Sequence, residues 1–378
     1  MNILSKVFWY CLAVFFTLVC FGACLLVYIK PTQLWLYFKP SQDDFNPDML
    51  FSQGGLYSNQ GNVTLVLVWL GPFEYRFSSF NCLEWNITNC SITMDRRAYN
   101  RSHAVIFHHR ELWWNLRNLP KQPRPLFQKW IWMNMESPSH SPPKHGMNRI
   151  FNLTLSYRRD ADIHVPYGWL IFKPDASRVK VPPKDKLVCW IVSNRYSQER
   201  MRYYKKLKEY IEIHTYGKFF GRPLSWREFM VTLSSCKFYL AFENSIAKDY
   251  ITEKVYMAFL TESVPVVLGP PRENYEDFIL PQSFIHVDDF MSPQHLSEYL
   301  LKLDQNDKLY LSYFEWKKDY LVYHPIFWKP HLCLACGYIK NHPEYKTVGN
   351  LEEWFWEKRP YDSFLQVKRK KKLSRSLT

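Results

Sequence analysis

Lys254 and Glu253 stand in the stretch 238–259, FYLAFENSIAKDYITEKVYMAF, where polar groups crowd a turn that has no glycine. A lysine ammonium is a compact charge suited to a phosphate, and a neighbouring carboxylate can accept two hydroxyls of a sugar or ribose. Asp249 is expected to begin a helix whose first turn offers free backbone N–H groups to an anion. Tyr250, Glu253 and Lys254, three and four residues apart, then project from one side of it. Glu243, Asn244 and Ser245 precede it, just past a short apolar run. A solvated helix face carrying an i, i+4 ion pair is the plainer alternative. The chain has neither G-x-x-x-x-G-K nor G-x-G-x-x-G, so a lysine-based nucleotide site must be of another design.

Glu136 is the other carboxylate placed for chemistry. It follows the apolar run 130–135, which puts it at a strand's carboxyl end, and Ser137 and Pro138 turn the chain away. Asp160-Ala161-Asp162 has the D-x-D form that holds a divalent metal in some nucleotide-sugar enzymes. The motif is short and lies far from the lysine stretch, so the two carboxylates are assigned a structural role. His108 and His109, ending another apolar run, are assigned as structural histidines as well.

The elements that must position these residues are strands and helices in alternation. Apolar runs at 187–192, 211–216, 238–242, 264–268 and 284–287 are separated by helical patterns at 197–210, 226–235, 249–261 and 275–279. That order means βαβ units and a parallel sheet, with ligands beyond the carboxyl ends of the strands. An earlier set of runs, at 64–70, 104–108, 130–135 and 152–157, predicts a first α/β domain whose helices the pattern does not locate. Two α/β domains facing a cleft result.

Residues 7–29 carry no charge and are long enough to cross a bilayer once. The run is too long for a cleaved signal peptide and lacks a small-x-small exit. It is expected to follow a cytosolic tail, residues 1–6, and to precede a polar stem, residues 30–61. Five N-x-S/T triplets, at Asn62, Asn86, Asn89, Asn100 and Asn152, all lie after the span. They place the body in a lumenal compartment. Six cysteines beyond the span fit three disulfides there and allow 15 connectivities. Cys333 and Cys336 have the C-x-x-C form of a redox-active pair or half of a zinc site, but no second C-x-x-C exists to complete a zinc cluster, and structural disulfides are the reading taken. The formal net charge of +14 falls to +8 without Lys368, Arg369, Lys370, Lys371, Lys372 and Arg375 of the polar tail, residues 358–378. No basic face with interleaved aromatics remains, which argues against nucleic acid as a partner.

FENSIAKDYITEKVYMAFLTESVPVVLG resembles the signature of the α-1,3-fucosyltransferases, glycosyltransferase family ten. RPLFQKWIWMNMESP, YRRDADIHVPYG and LVCWIVSN resemble that family's pattern in its order, and the similarity runs from about residue 62 to Trp356. It implies an α/β protein of GT-B architecture, two Rossmann-like domains facing a cleft, preceded by one N-terminal transmembrane helix. The acceptor domain would be residues 62–175 and the donor domain residues 176–357. The implied protein is a type II Golgi membrane enzyme. It would transfer L-fucose from GDP-β-L-fucose to the GlcNAc O3 of N-acetyllactosamine on glycoproteins or glycolipids, with inversion, giving Lewis x type products. No cofactor is required, metal dependence is not strict, and the resemblance allows a homodimer. A glycan-binding or inactive homologue of the same fold is the alternative, although such a protein needs no base.

The resemblance assigns Glu136 as catalytic base. It puts Tyr167, Trp190, Ser193, Asn194, Arg200, Leu224, Tyr239, Asn244, Tyr250, Glu253 and Lys254 against the donor, and Tyr75 with Glu136 against the acceptor. A glutamine of the Lewis x type is Tyr75 here. The disulfides it implies are Cys82–Cys333, Cys90–Cys336 and Cys189–Cys236. On the topology read above, glycosidase treatment lowers the apparent mass, and an N-terminal tag is reached only from the cytosol. A glycan-free body with a protected tag would refute it.

Overall fold

The structure is a computed structural model. It describes residues 63–72, 77, 82–174, 181–194, 197–325 and 327–356. The expected span, stem and basic tail, the Asn62 triplet and Tyr75 lie outside the described residues.

Six parallel strands form the first sheet: β1 (Thr64–Leu70), β2 (Cys90–Thr93), β3 (Ala104–His108), β4 (Lys129–Asn134), β5 (Leu153–Ser156) and β6 (Ile163–His164). Their order is β2-β1-β3-β4-β5-β6. After β7 (Trp169–Phe172), five more parallel strands build the second sheet: β8 (Lys186–Ile191), β9 (His214–Tyr216), β10 (Cys236–Phe242), β11 (Val264–Leu268) and β12 (Ile285–His286). Their order is β12-β11-β10-β8-β9. A last strand, β13 (Tyr320–Tyr323), pairs with β7 in an antiparallel ribbon.

The helices are α1 (Gln198–Leu207), α2 (Trp226–Ser234), α3 (Glu253–Leu260), α4 (Arg272–Glu276), α5 (Pro293–Asp304), α6 (Asp307–Leu311), α7 (Lys329–Asn341) and α8 (Leu351–Trp356). β10 shows why the second sheet is a continuous apolar run in sequence. Phe238, Leu240 and Phe242 face a core that includes Leu207 of α1 and Leu296, Leu300 and Leu303 of α5. Tyr239 and Ala241 face the opposite core, with Val255, Tyr256 and Phe259 of α3. A parallel strand covered on both faces has no polar side to display.

The first sheet departs from the expected α/β pattern. No α-helix precedes Gln198 among the described residues, and the connections there carry only short 3₁₀ turns. Its helical cover comes from the other end of the chain, from residues the sequence division gives to the second domain. α7 lies against β1 and β2 and is fastened by disulfides Cys82–Cys333 and Cys90–Cys336. α8 sets Phe355 4.9 Å from the buried ring of Trp132, centroid to centroid. The third disulfide, Cys189–Cys236, ties β8 to β10. These are the three pairs the resemblance implies.

Asn86, Asn89 and Asn100 are exposed. Asn152 corrects the expectation of a surface acceptor, because its side chain is fully buried. Its Oδ1 accepts from Trp130 N at 2.7 Å and Arg124 Nη1 at 2.9 Å, and its Nδ2 donates to Lys346 O at 2.7 Å. The amide is a structural clamp between β4, β5 and the segment before α8.

His109 accepts from Trp132 Nε1 at 3.1 Å and so donates from Nε2 to Pro142 O at 2.9 Å. Burial lowers His108 and His331 to about 3 and His109 and His164 to about 4. As pH falls, the unfolded chain takes up protons near its ordinary histidine value of about 6.5, while the folded chain resists. The unfolding free energy should therefore drop as pH is lowered from about 6.5 toward 4. Urea midpoints across that window measure it, and a flat profile would show that these imidazoles are not held neutral.

Candidate functional site

The carboxyl ends of the two sheets meet through their loops. Beyond β4, the side chain of Asn134 accepts from the Glu136 N–H at 3.0 Å and donates to Ser141 Oγ at 2.9 Å. This fixes Glu136 in an Asx-type turn, half-buried. From the second sheet, the Tyr250 hydroxyl donates to Glu136 Oε2 at 3.2 Å. The Tyr167 hydroxyl donates to Met135 O, and Ser245 Oγ donates to Ser137 Oγ. The Tyr157 ring stands 5.2 Å and the Tyr167 ring 6.3 Å from that of Tyr250. Burial pushes all three phenols above their ordinary range, so each keeps its proton. Glu136 thus sits at the edge of a tyrosine cluster with a donated hydrogen bond on one oxygen.

Helix α3 begins at Glu253, four residues later than expected, with Thr252 as its N-cap residue in extended backbone. The reason is Asp249, which adopts left-handed φ of 60°. It is buried, with its N–H on Asn274 Oδ1 at 2.7 Å, Asn274 Nδ2 on its Oδ1 at 2.7 Å, and Arg159 N on its Oδ2 at 3.0 Å. Tyr250 therefore lies outside the helix. It reaches Glu136 across the interface between the sheets instead of sharing a face with Lys254.

The electrostatic centre is a residue to which the sequence reading gave no role. Glu243, 1% exposed, follows β10 directly. Its Oε1 accepts from Thr252 N at 2.8 Å; its Oε2 accepts from Thr252 Oγ1 at 2.8 Å and Lys254 Nζ at 3.1 Å. Lys254 also donates to Thr252 Oγ1 at 2.6 Å and Glu253 Oε1 at 3.1 Å. Burial alone would lower the Lys254 ammonium, yet Glu243 and Glu253 together carry it above its ordinary value. Burial raises the Glu243 carboxyl, with Lys254 pulling the other way. For Glu253, Lys254 outweighs burial and the carboxyl falls below its usual range.

Arg200, 2% exposed, crosses the ends of β8 and β10. It donates from Nη1 to Phe242 O at 3.3 Å and from Nη2 to Asn194 O. Its Nε has no hydrogen-bond partner among the described residues, which leaves a buried donor free for an anion. Arg202, two residues on, is exposed and paired with Glu199 at 2.9 Å.

Of the other residues the resemblance assigns, Tyr239 is buried near Lys254 and Arg200. Asn244 is half-buried beside Glu243, Ser193 is exposed past β8, and Leu224 is half-buried ahead of α2. Trp190 is 1% exposed within the second-sheet core, 4.7 Å from the Tyr204 ring and 5.7 Å from that of Phe220. The Asp160 and Asp162 carboxylates have structural partners. Asp160 accepts from Arg158 and Lys248, and Asp162 accepts from Thr154 and Lys346.

The family profile described as "Glycosyltransferase family 10 (fucosyltransferase) C-term" matches residues 181–354, and "Fucosyltransferase, N-terminal" matches residues 61–168. The 4-galactosyl-N-acetylglucosaminide 3-alpha-L-fucosyltransferase 9 of Mus musculus is 54% identical over 339 residues, covering 89% of this chain and 94% of that protein. The Homo sapiens protein of the same name gives the same figures. The 4-galactosyl-N-acetylglucosaminide 3-alpha-L-fucosyltransferase FUT6 of Pongo pygmaeus is 40% identical over 351 residues, covering 89% and 96%. A crystal structure of an alpha1,3-fucosyltransferase with GDP shares the fold at a TM-score of 0.51 and 16% identity, over 79% of this chain and 96% of that one.

Asp249→Ala removes acceptors from Asn274 and from the Arg159 N–H in a buried setting. The expected loss is about 2 kcal/mol or more of stability, read by urea unfolding. A variant as stable as the parent would show that the left-handed turn is held by other contacts.

Proposed function

We propose that this chain, which belongs to glycosyltransferase family 10, the fucosyltransferases, transfers L-fucose from GDP-β-L-fucose to the GlcNAc O3 of N-acetyllactosamine glycans with inversion. The observation that carries the mechanism is the meeting of Glu136, from the first sheet, with Tyr250, from the donor side of the second.

Inverting transfer is one in-line displacement. The acceptor hydroxyl attacks the anomeric carbon on the face opposite GDP, the new glycosidic bond forms, and the bond to the diphosphate breaks. A sugar hydroxyl is a weak nucleophile near neutral pH, so a positioned base must take its proton as the bond forms. Glu136 is that base. One oxygen accepts from Tyr250 and the other is available to the acceptor, while the Asn134 turn fixes the backbone. GDP leaves with its charge met by Arg200, which has a buried donor to give, and by Lys254. Glu253, beside Lys254 and 47% exposed, takes hydroxyls of the fucose ring.

The two sheets face a cleft in the GT-B manner, with the acceptor on the side of Glu136. The body belongs in the Golgi lumen behind an N-terminal signal anchor. Exposed sequons at Asn86, Asn89 and Asn100 and three disulfides support that placement.

Glu136→Gln keeps the shape and loses the basicity. Its turnover with GDP-fucose and N-acetyllactosamine should fall ~10²–10⁴-fold, with GDP-fucose still bound within a few fold. A Glu136→Gln enzyme within tenfold of the parent would place the base elsewhere.

A further inference from the structure

Lys254 has three N–H donors, and the chain itself uses all three: on Glu243 Oε2, Thr252 Oγ1 and Glu253 Oε1. A phosphate oxygen that reaches this ammonium must take one of those places. The three acceptors are not equally replaceable. Glu243 and Thr252 are each 1% exposed and are bonded to one another through both the backbone N–H and the hydroxyl of Thr252. Moving either one would strand a buried charge or a buried donor, which is costly. The Glu253 side chain is 47% exposed at the first turn of α3 and can rotate into water.

We infer that Glu253 is a specificity residue that competes with the diphosphate for Lys254, and thereby makes the site favour the sugar-bearing nucleotide over bare GDP. The inference rests on the donor site proposed above and concerns what that reading leaves open, the balance between donor and spent nucleotide. When a nucleoside diphosphate binds, Glu253 is displaced from Lys254 and left beside phosphate oxygens of its own sign. A sugar ring on the diphosphate compensates it by donating hydroxyls to the freed carboxylate. GDP alone lacks the fucose hydroxyls, so its binding carries more of the loss of the Glu253–Lys254 pair. After transfer the same carboxylate returns to Lys254 and helps to expel GDP.

The same geometry fixes the sign of the test. Glu253→Gln removes the competitor for both nucleotides but the sugar's charged acceptor for only one of them, so it shifts the balance toward GDP. Titration calorimetry on the full chain, with GDP and with GDP-fucose in the absence of acceptor, reads both affinities. A half-exposed ion pair is weak, so Glu253→Gln should bind GDP about twofold to fivefold tighter than the parent. GDP-fucose, which loses a charged acceptor as well, should gain less than GDP does, shrinking the preference for it. In a Lys254→Ala background the tightening toward GDP should disappear. A Glu253→Gln chain that binds GDP no tighter than the parent overturns the inference while leaving the donor site standing, provided Lys254→Ala still weakens GDP. Lys254→Ala with unchanged GDP affinity overturns the donor-site reading and the inference together.

Discussion

A carboxylate taken out of water must find partners or lose its charge. Glu243 is in that position at the end of β10, and the chain from 243 to 254 is arranged to meet its demand. The backbone comes back so that Thr252 can give it two hydrogen bonds, which makes Thr252 the helix cap and starts α3 at Glu253. The loop between is thereby made long enough for Asp249 to turn left-handed and for Tyr250 to leave its own sheet and touch Glu136. The Tyr250–Glu136 contact, the place of Lys254 and the start of α3 are three outcomes of one buried charge. Gly269 belongs to the same arrangement, because a Cβ there would stand 3.1 Å from Glu243 Cγ and 2.4 Å from the Tyr275 hydroxyl.

The local charge balance follows. Glu243 and Glu253 face Lys254 and Arg200, two carboxylates to two cations, so this corner is close to neutral. An anion binding there would rearrange existing pairs. Arg200, whose guanidinium burial destabilises, is held by main-chain carbonyls past the ends of two strands and, among the described residues, by no salt bridge of its own.

The sequence shows the second sheet because both its faces are covered, which turns β8, β10 and β11 into unbroken apolar runs. β2, β6, β7 and β13 are short and largely half-exposed, so they leave no such run. α5 was legible from Leu296, Leu300 and Leu303, four and three residues apart on one helical face. α7 was not: a segment with Pro330 and Gly337 becomes a helix where two disulfides and the first sheet hold it. At the site, residue types singled out Lys254, Glu253 and Glu136. Periodicity running back through Ile251 hid the turn at Asp249, and nothing in the spacing marks Glu243 as buried.

The separations of the bridged cysteines are 251, 246 and 47 residues. A chain made from its N-terminus has Cys82 and Cys90 on offer long before Cys333 and Cys336 exist. Cys189 and Cys236 can close soon after β10 is made, because β8 and β10 are paired neighbours. The first sheet must wait, uncovered on the side that α7 will occupy and with two thiols open to wrong partners, until Lys329–Asn341 have been added. The sheet that is begun first is covered last, and its thiols need protection across separations of 251 and 246 residues.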